Sequence, residues 1–81
     1  MTWFVYILKC GDDSLYTGIT NDLKSRVLAH QQGRGAKYTR GRGPFKVVYQ
    51  SECANRREAS SRERDIKNLS LSEKIELISN I

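Results

Sequence analysis

Several residue types that would narrow the chain's role are scarce. Its 81 residues hold two cysteines, one histidine, one proline and one tryptophan. Cys10 and Cys53 lie far apart, form no Cys-x-x-Cys pair, and have only His30 to join them as a nitrogen ligand. That spacing argues against a zinc site or a redox motif, and free thiols are expected. No run approaches the roughly 20 apolar residues of a membrane span. The opening "MTWFVYIL" lacks the basic stretch of a signal peptide, so the cytoplasm is the expected location. Acidic residues are also missing from one long block. Residues 23–51 contain Lys24, Arg26, Arg34, Lys37, Arg40, Arg42 and Lys46 and not a single Asp or Glu. With a formal charge of +5, this segregation predicts a basic surface that attracts phosphate backbones. A solvated face that serves solubility is the blander alternative.

What is present reads as one domain, 1–81. Residues 2–9, "TWFVYILK", are continuously apolar rather than alternating, which suits a central strand covered on both faces. "LYTGIT" at 15–20 reads as its hairpin partner across the turn "CGDDS", with Gly18 marking a bulge or a close approach. "TNDLKSRVLAHQQG" predicts a helix capped by Asn21 or Asp22 and ended by Gly33. A loop follows, "GRGAKYTRGRGP", ordered only if something holds it. "FKVVYQS" is a third strand. Asn55 with Glu58, and Ser70 with Glu73, are capping-box signatures for two more helices, the first running to about Leu69. Apolar positions of the last helix are Ile75, Leu77, Ile78 and Ile81. The expected fold is α+β: a three-stranded antiparallel sheet flanked by three helices, in the order β-β-α-β-α-α.

Five polar residues sit where apolar ones would serve. Tyr6 and Tyr16 fall inside the two hairpin strands, and a buried phenol demands a partner that Phe would not. They share a sheet face only if paired residue numbers in the hairpin sum to an even number. At about 100° per residue, Arg26 and His30 fall on or beside the stripe of Leu23 and Val27. Glu63 groups with Ala59 and Ile66, and a carboxylate there must be paired or bind a cation. Each has a structural explanation: a helix-terminal histidine, a snorkelling arginine, a Glu63–Arg26 ion pair. One shared polar site, expected as a single concave, solvent-accessible pocket, accounts for all five.

The ordered set "VYIL", "YTGIT", Arg26, His30, "AKYTRGRGP" and "EASSRERDIK" resembles the GIY-YIG endonuclease superfamily, closest to its small stand-alone bacterial members. The resemblance covers essentially the whole chain. It implies a three-stranded antiparallel sheet flanked by helices. It also implies that Tyr6 and Tyr16 are the tyrosines of the two strand motifs, that Arg26 and His30 are the helix residues, and that Glu63 binds a single divalent cation, Mg²⁺ or Mn²⁺. Phe4 replaces the first motif's glycine, and Ile19 and Thr20 stand where some relatives carry a lysine. An asparagine near the end of several relatives has no clear counterpart.

These readings predict a metal-dependent DNA endonuclease acting in repair or processing. Tyr6 or Tyr16 is the general base, with Tyr6 favoured and Tyr16 then positioning water, and Arg26 takes the phosphate. Arg34, Lys37, Tyr38, Arg40 and Arg42 are expected to hold the DNA backbone, by shape rather than sequence. The alternative is a DNA- or RNA-binding module with little or no catalysis on the same scaffold; a third reading is a protein-interaction domain.

Overall fold

The computed structural model describes residues 2–79. The chain runs β1 (Trp3–Lys9), β2 (Leu15–Thr20), α1 (Leu23–Gln31), β3 (Lys46–Cys53), α2 (Arg56–Lys67) and α3 (Leu71–Ser79), with a 3-10 turn at Lys37–Thr39. This is the expected α+β order. The sheet is antiparallel with strand order β2-β1-β3, so β1 is central as its continuous apolar run requires. Val5, Tyr6, Ile7 and Leu8 are all fully buried.

The two faces of the sheet differ in chemistry. On one, Val5 and Ile7 join Cys53, Ala59 and Ile66 in the apolar core, with Trp3, Leu15, Ile19, Leu77 and Ile78 packed around them. α2 and α3 cover this face. Burying a side chain such as Ile7 contributes about 1.5–3 kcal/mol, and Ile7→Ala would cost about 2–5 kcal/mol. The other face carries the tyrosines. Tyr6 pairs with Gly18 and Leu8 with Tyr16, so paired numbers sum to an even number and Tyr6, Tyr16 and Gly18 point the same way. α1 is the helix whose buried residue meets that face, and that residue is His30.

Local signals set the helix ends. The Asp22 side chain caps α1 by accepting from the Ser25 N–H at 3.2 Å. Gly33, at φ +77°, ends it in a paired motif: its N–H donates to the His30 carbonyl, and the Arg34 N–H to the Ala29 carbonyl. Asn55 caps α2 through the Glu58 N–H, while the Glu58 carboxylate reaches back to the Ala54 N–H. α2 stops at Lys67, short of Leu69, because the Ser70–Glu73 capping box opens α3 at once. Ile81, expected on the apolar stripe of α3, lies outside the described residues.

The glycine-rich loop is held at both ends. Gly11 in the β1–β2 turn donates its N–H to the Arg42 carbonyl at 2.6 Å, and Arg42 forms an ion pair with Asp12 in the same turn. Farther back, Thr39 is 1% exposed and hydrogen-bonded to His30. The β1–β2 hairpin and α1 therefore order the loop.

Candidate active site

The site begins with Gly18. A Cβ there would lie 2.7 Å from the Tyr6 hydroxyl and 3.0 Å from the Tyr16 ring, so only glycine lets the Tyr6 ring lie across β2. Laid over in this way, Tyr6 brings its hydroxyl to 2.9 Å from Nε2 of His30. The other imidazole nitrogen, Nδ1, is 2.8 Å from the Thr39 hydroxyl. Gly35 crosses the same ring, where any Cβ would collide with Nδ1. His30 is thus enclosed by the hairpin on one side and the loop on the other, at 1% exposure.

Aromatic rings extend the cluster outward. Tyr16 meets His30 edge-on at 5.3 Å and stacks on Tyr38 at 5.9 Å. The Arg42 guanidinium lies 4.4 Å from the centre of the Tyr38 ring. An unbroken set of contacts therefore runs from buried Tyr6 to the exposed loop.

The electrostatics favour neutral forms inside. Burial pushes the Tyr6 phenol up to about 12, and the neighbouring Tyr16 and the negative charge of Glu63 add to this, while the Arg26 guanidinium beside it pulls the other way. His30 is held below its ordinary value by burial and then by the positive charge of Arg26. Both shifts disfavour charge in a closed, low-dielectric space.

The sequence expectations fare unequally. Tyr6, Tyr16, Arg26 and His30 are brought together. Arg26 also lines an open cavity of about 310 Å³ with Trp3, Ile19, Thr20, Asn21 and Arg56. The expectation of one solvent-accessible pocket around all five groups is corrected: Tyr6 and His30 are fully buried, because the Tyr16 ring and the loop at Gly35 cover them. Glu63 stands on α2 between buried Ala59 and Ile66, as its spacing indicates. Its ion partner is Lys67, at 3.5 Å, rather than Arg26, since a residue one helical turn away reaches it without any tertiary constraint. Of the loop residues, Arg34, Lys37, Tyr38 and Arg40 are exposed, whereas Arg42 is partly buried between Asp12 and Tyr38.

Among the described residues no group of three or more His, Cys, Asp or Glu side chains is placed to enclose a metal ion. Zinc, which takes three or four protein ligands, does not fit. Glu63 offers one hard carboxylate, with 24% of its side chain exposed. That suits a cation that keeps most of its waters and completes its shell with substrate phosphate, as Mg²⁺ does.

Thr39 escaped the sequence reading. A threonine between Tyr38 and Arg40 in a glycine-rich loop carries no sign of burial. Asp12, which fixes Arg42, gave none either.

A family model described as the GIY-YIG catalytic domain matches residues 2–76. A UPF0213 protein of Clostridium perfringens is 60% identical over 77 residues, covering 95% of this chain and 83% of that protein. The solution NMR structure of the UPF0213 protein BH0048 from Bacillus halodurans is 47% identical and superposes with a TM-score of 0.64, covering 98% of this chain and 84% of the other. That of the protein EF2693 from E. faecalis is 30% identical with a TM-score of 0.67, covering 99% and 85%. Over nearly its whole length, and with the two motif tyrosines on one face of its sheet, this chain belongs to the GIY-YIG family.

Proposed function

We propose that the protein is a Mg²⁺- or Mn²⁺-dependent DNA endonuclease that hydrolyses phosphodiester bonds in DNA repair or processing. The observation that carries this reading is the buried Tyr6–His30 hydrogen bond with Arg26 beside it. A phenol on the sheet, with an imidazole and a guanidinium from α1 against it, serves no packing need that Phe and Leu would not meet better.

The roles follow from the chemistry of each group. Arg26 lines an open cavity and offers its planar fork to a phosphate, whose extra negative charge in the transition state it stabilises. Tyr6 and His30 form the proton-accepting pair. With its pKa raised to about 12, the Tyr6 oxygen takes a proton from water only as it surrenders its own, and His30 is the acceptor at hydrogen-bond distance. Tyr16, half-buried at the mouth of the cluster, orients the water. Glu63 would hold the divalent cation, which when bound polarises the phosphate and its leaving oxygen.

Lys37, Tyr38, Arg40 and Arg34 would follow the DNA backbone on the exposed loop, with Arg42 bracing Tyr38. So small an interface leaves little room for reading bases, so recognition rests on shape and backbone. Two buried free thiols suit a reducing compartment, and the cytoplasm is the proposed place of action. Among the described residues no helix is long and apolar enough to cross a membrane.

One observation favours a second reading, a nucleic-acid-binding module with little catalysis. Tyr6 and His30 are closed off from solvent, so water reaches them only if the Tyr16 ring or the loop moves. Incubation with Mg²⁺ or Mn²⁺ and single-stranded, nicked, flapped and four-way DNAs separates the two. Cleavage that disappears in Glu63→Gln supports the nuclease. Salt-dependent binding with no cleavage of any of these DNAs supports the module.

A further inference from the structure

We infer that Thr39 is a positioning residue: its hydroxyl fixes His30 as the Nδ1–H tautomer, leaving Nε2 free to accept the Tyr6 proton, so the proton-accepting pair is set only when the basic loop is folded. The consequence for catalysis rests on the endonuclease reading. The tautomer itself does not.

Three donors must be placed in the enclosed space: the Tyr6 O–H, one imidazole N–H and the Thr39 O–H. The Thr39 hydroxyl donates to the Ala36 carbonyl at 2.8 Å, which spends its one proton. Its oxygen can then only accept from Nδ1, 2.8 Å away. The ring proton is therefore on Nδ1, Nε2 carries a lone pair, and the Tyr6 hydroxyl donates to it across 2.9 Å. Every donor in this chain, Tyr6 to His30 to Thr39 to Ala36, has an acceptor. No buried side-chain nitrogen or oxygen among the described residues lacks a partner.

The reversed chain fails at the Tyr6 end. If Thr39 donated to Nδ1, the Ala36 carbonyl would keep only the Thr39 N–H. His30 would donate from Nε2 to the Tyr6 oxygen, and the Tyr6 proton would need another acceptor. The further side-chain hydrogen-bond partner of Tyr6 is the Arg26 guanidinium, which only donates, while Tyr16 and Glu63 act on the phenol through charge. An unsatisfied phenol at 0% exposure would follow, a costly arrangement.

The loop supplies this control as a unit. The Thr39 N–H and hydroxyl both converge on the Ala36 carbonyl, closing the 3-10 turn, while Gly35 lies against the imidazole. Thr39 is buried, yet its neighbours Tyr38 and Arg40, and Lys37 at the start of the turn, are exposed. Side chains suited to a DNA backbone thus flank the hydroxyl that sets the tautomer. A backbone seated on Lys37 and Arg40 would brace the turn that primes His30.

His30 is the sole histidine of the chain, so long-range ¹H–¹⁵N correlation of its ring reads the tautomer without ambiguity. Wild type at neutral pH is expected to show a protonated Nδ1 and an unprotonated Nε2. Thr39→Val, which keeps the shape and removes the hydroxyl, should move the ring to Nε2–H or to a mixture, and Thr39→Ser should restore the wild-type pattern. An Nε2–H wild type overturns the inference even if no variant folds, and so does an unchanged pattern in a folded Thr39→Val. If wild type cleaves DNA, Thr39→Val should lower kcat by on the order of 10²-fold with little change in KM. An Nδ1–H wild type that cleaves none of the DNAs sinks the endonuclease reading and leaves the role of Thr39 in place.

Discussion

The Tyr6 hydroxyl and Nε2 of His30 meet at 2.9 Å although 24 residues separate them, and neither side chain is exposed beyond 1%. This contact joins α1 to the sheet through the one residue of that helix that is buried. One hydrogen bond therefore serves as both a packing contact and the centre of the candidate site.

That arrangement sets a pH dependence. The imidazole of His30 is held below 6.5 in the fold by burial and by Arg26. As pH falls below about 6.5, the unfolded chain gains a proton that the fold resists, so stability declines until the folded-state pKa is passed. The contribution is fully present above the unfolded value. The Cε1–H resonance should titrate with a midpoint below 6.5, and the melting temperature should rise with pH through the same window. A midpoint at or above 6.5 would show that the fold does not hold this ring neutral.

Gly18→Ala tests the close approach beneath the tyrosines. A Cβ 2.7 Å from the Tyr6 hydroxyl must push that ring off β2 or separate it from His30. Such overpacking costs about 1–3 kcal/mol, and each 1 kcal/mol corresponds to a fall in melting temperature of roughly 4–8 °C for a domain of this size. An alanine variant that melts within a degree of wild type would mean that the rings do not sit over Gly18 in solution.

Glu63 and Lys67 give opposite expectations for stability and metal binding. Their contact at 3.5 Å is an i,i+4 pair with Lys67 half-exposed, the kind worth about 0.3–0.5 kcal/mol. Glu63→Gln should thus shift the melting temperature by only about 1–4 °C. Lys67→Met should tighten Mg²⁺ binding by about twofold, since the competing cation is gone. Chemical-shift titration with Mg²⁺ provides the check. No Mg²⁺-induced shifts around Glu63 in either protein would remove the metal from the proposed function.

The loop cations should separate into two classes. Lys37 and Arg40 are exposed, whereas Arg42 is engaged with Asp12 and Tyr38. Replacing Lys37 and Arg40 with Ser should weaken binding to all duplex sequences alike and reduce the salt dependence by roughly 0.9 log unit for each phosphate that is no longer neutralised. Arg42→Ser should instead loosen the loop, which hydrogen exchange at Thr39 and Arg40 would reveal. Unchanged affinity and salt slope in the Lys37/Arg40 variant would return this surface to a purely solubilising role.

Much of the architecture was legible in the sequence because the interactions that build it are local. β1 declared itself central by an unbroken apolar run, and Asp22, Gly33, Asn55 and Ser70 marked helix ends through contacts within a few residues. The alternation of strand side chains reduced the two tyrosines to a question of parity, and the hairpin register answered it. Spacing also placed Glu63 correctly among Ala59 and Ile66.

What the sequence determined by itself is therefore the order of elements, their ends, and which side chains had polar business on apolar faces. The tertiary structure alone decided which of those side chains meet. Thr39 reaches His30 because the loop folds back over α1, and Tyr6 reaches it because Gly18 leaves room, contacts that no periodicity encodes. Burial followed the same logic: Tyr6 and His30 are closed in by residues from three separate segments, Tyr16, Gly35 and Thr39. Even the partner of Glu63 was a matter of competition, settled when a lysine on the same helix reached it without waiting for the chain to close.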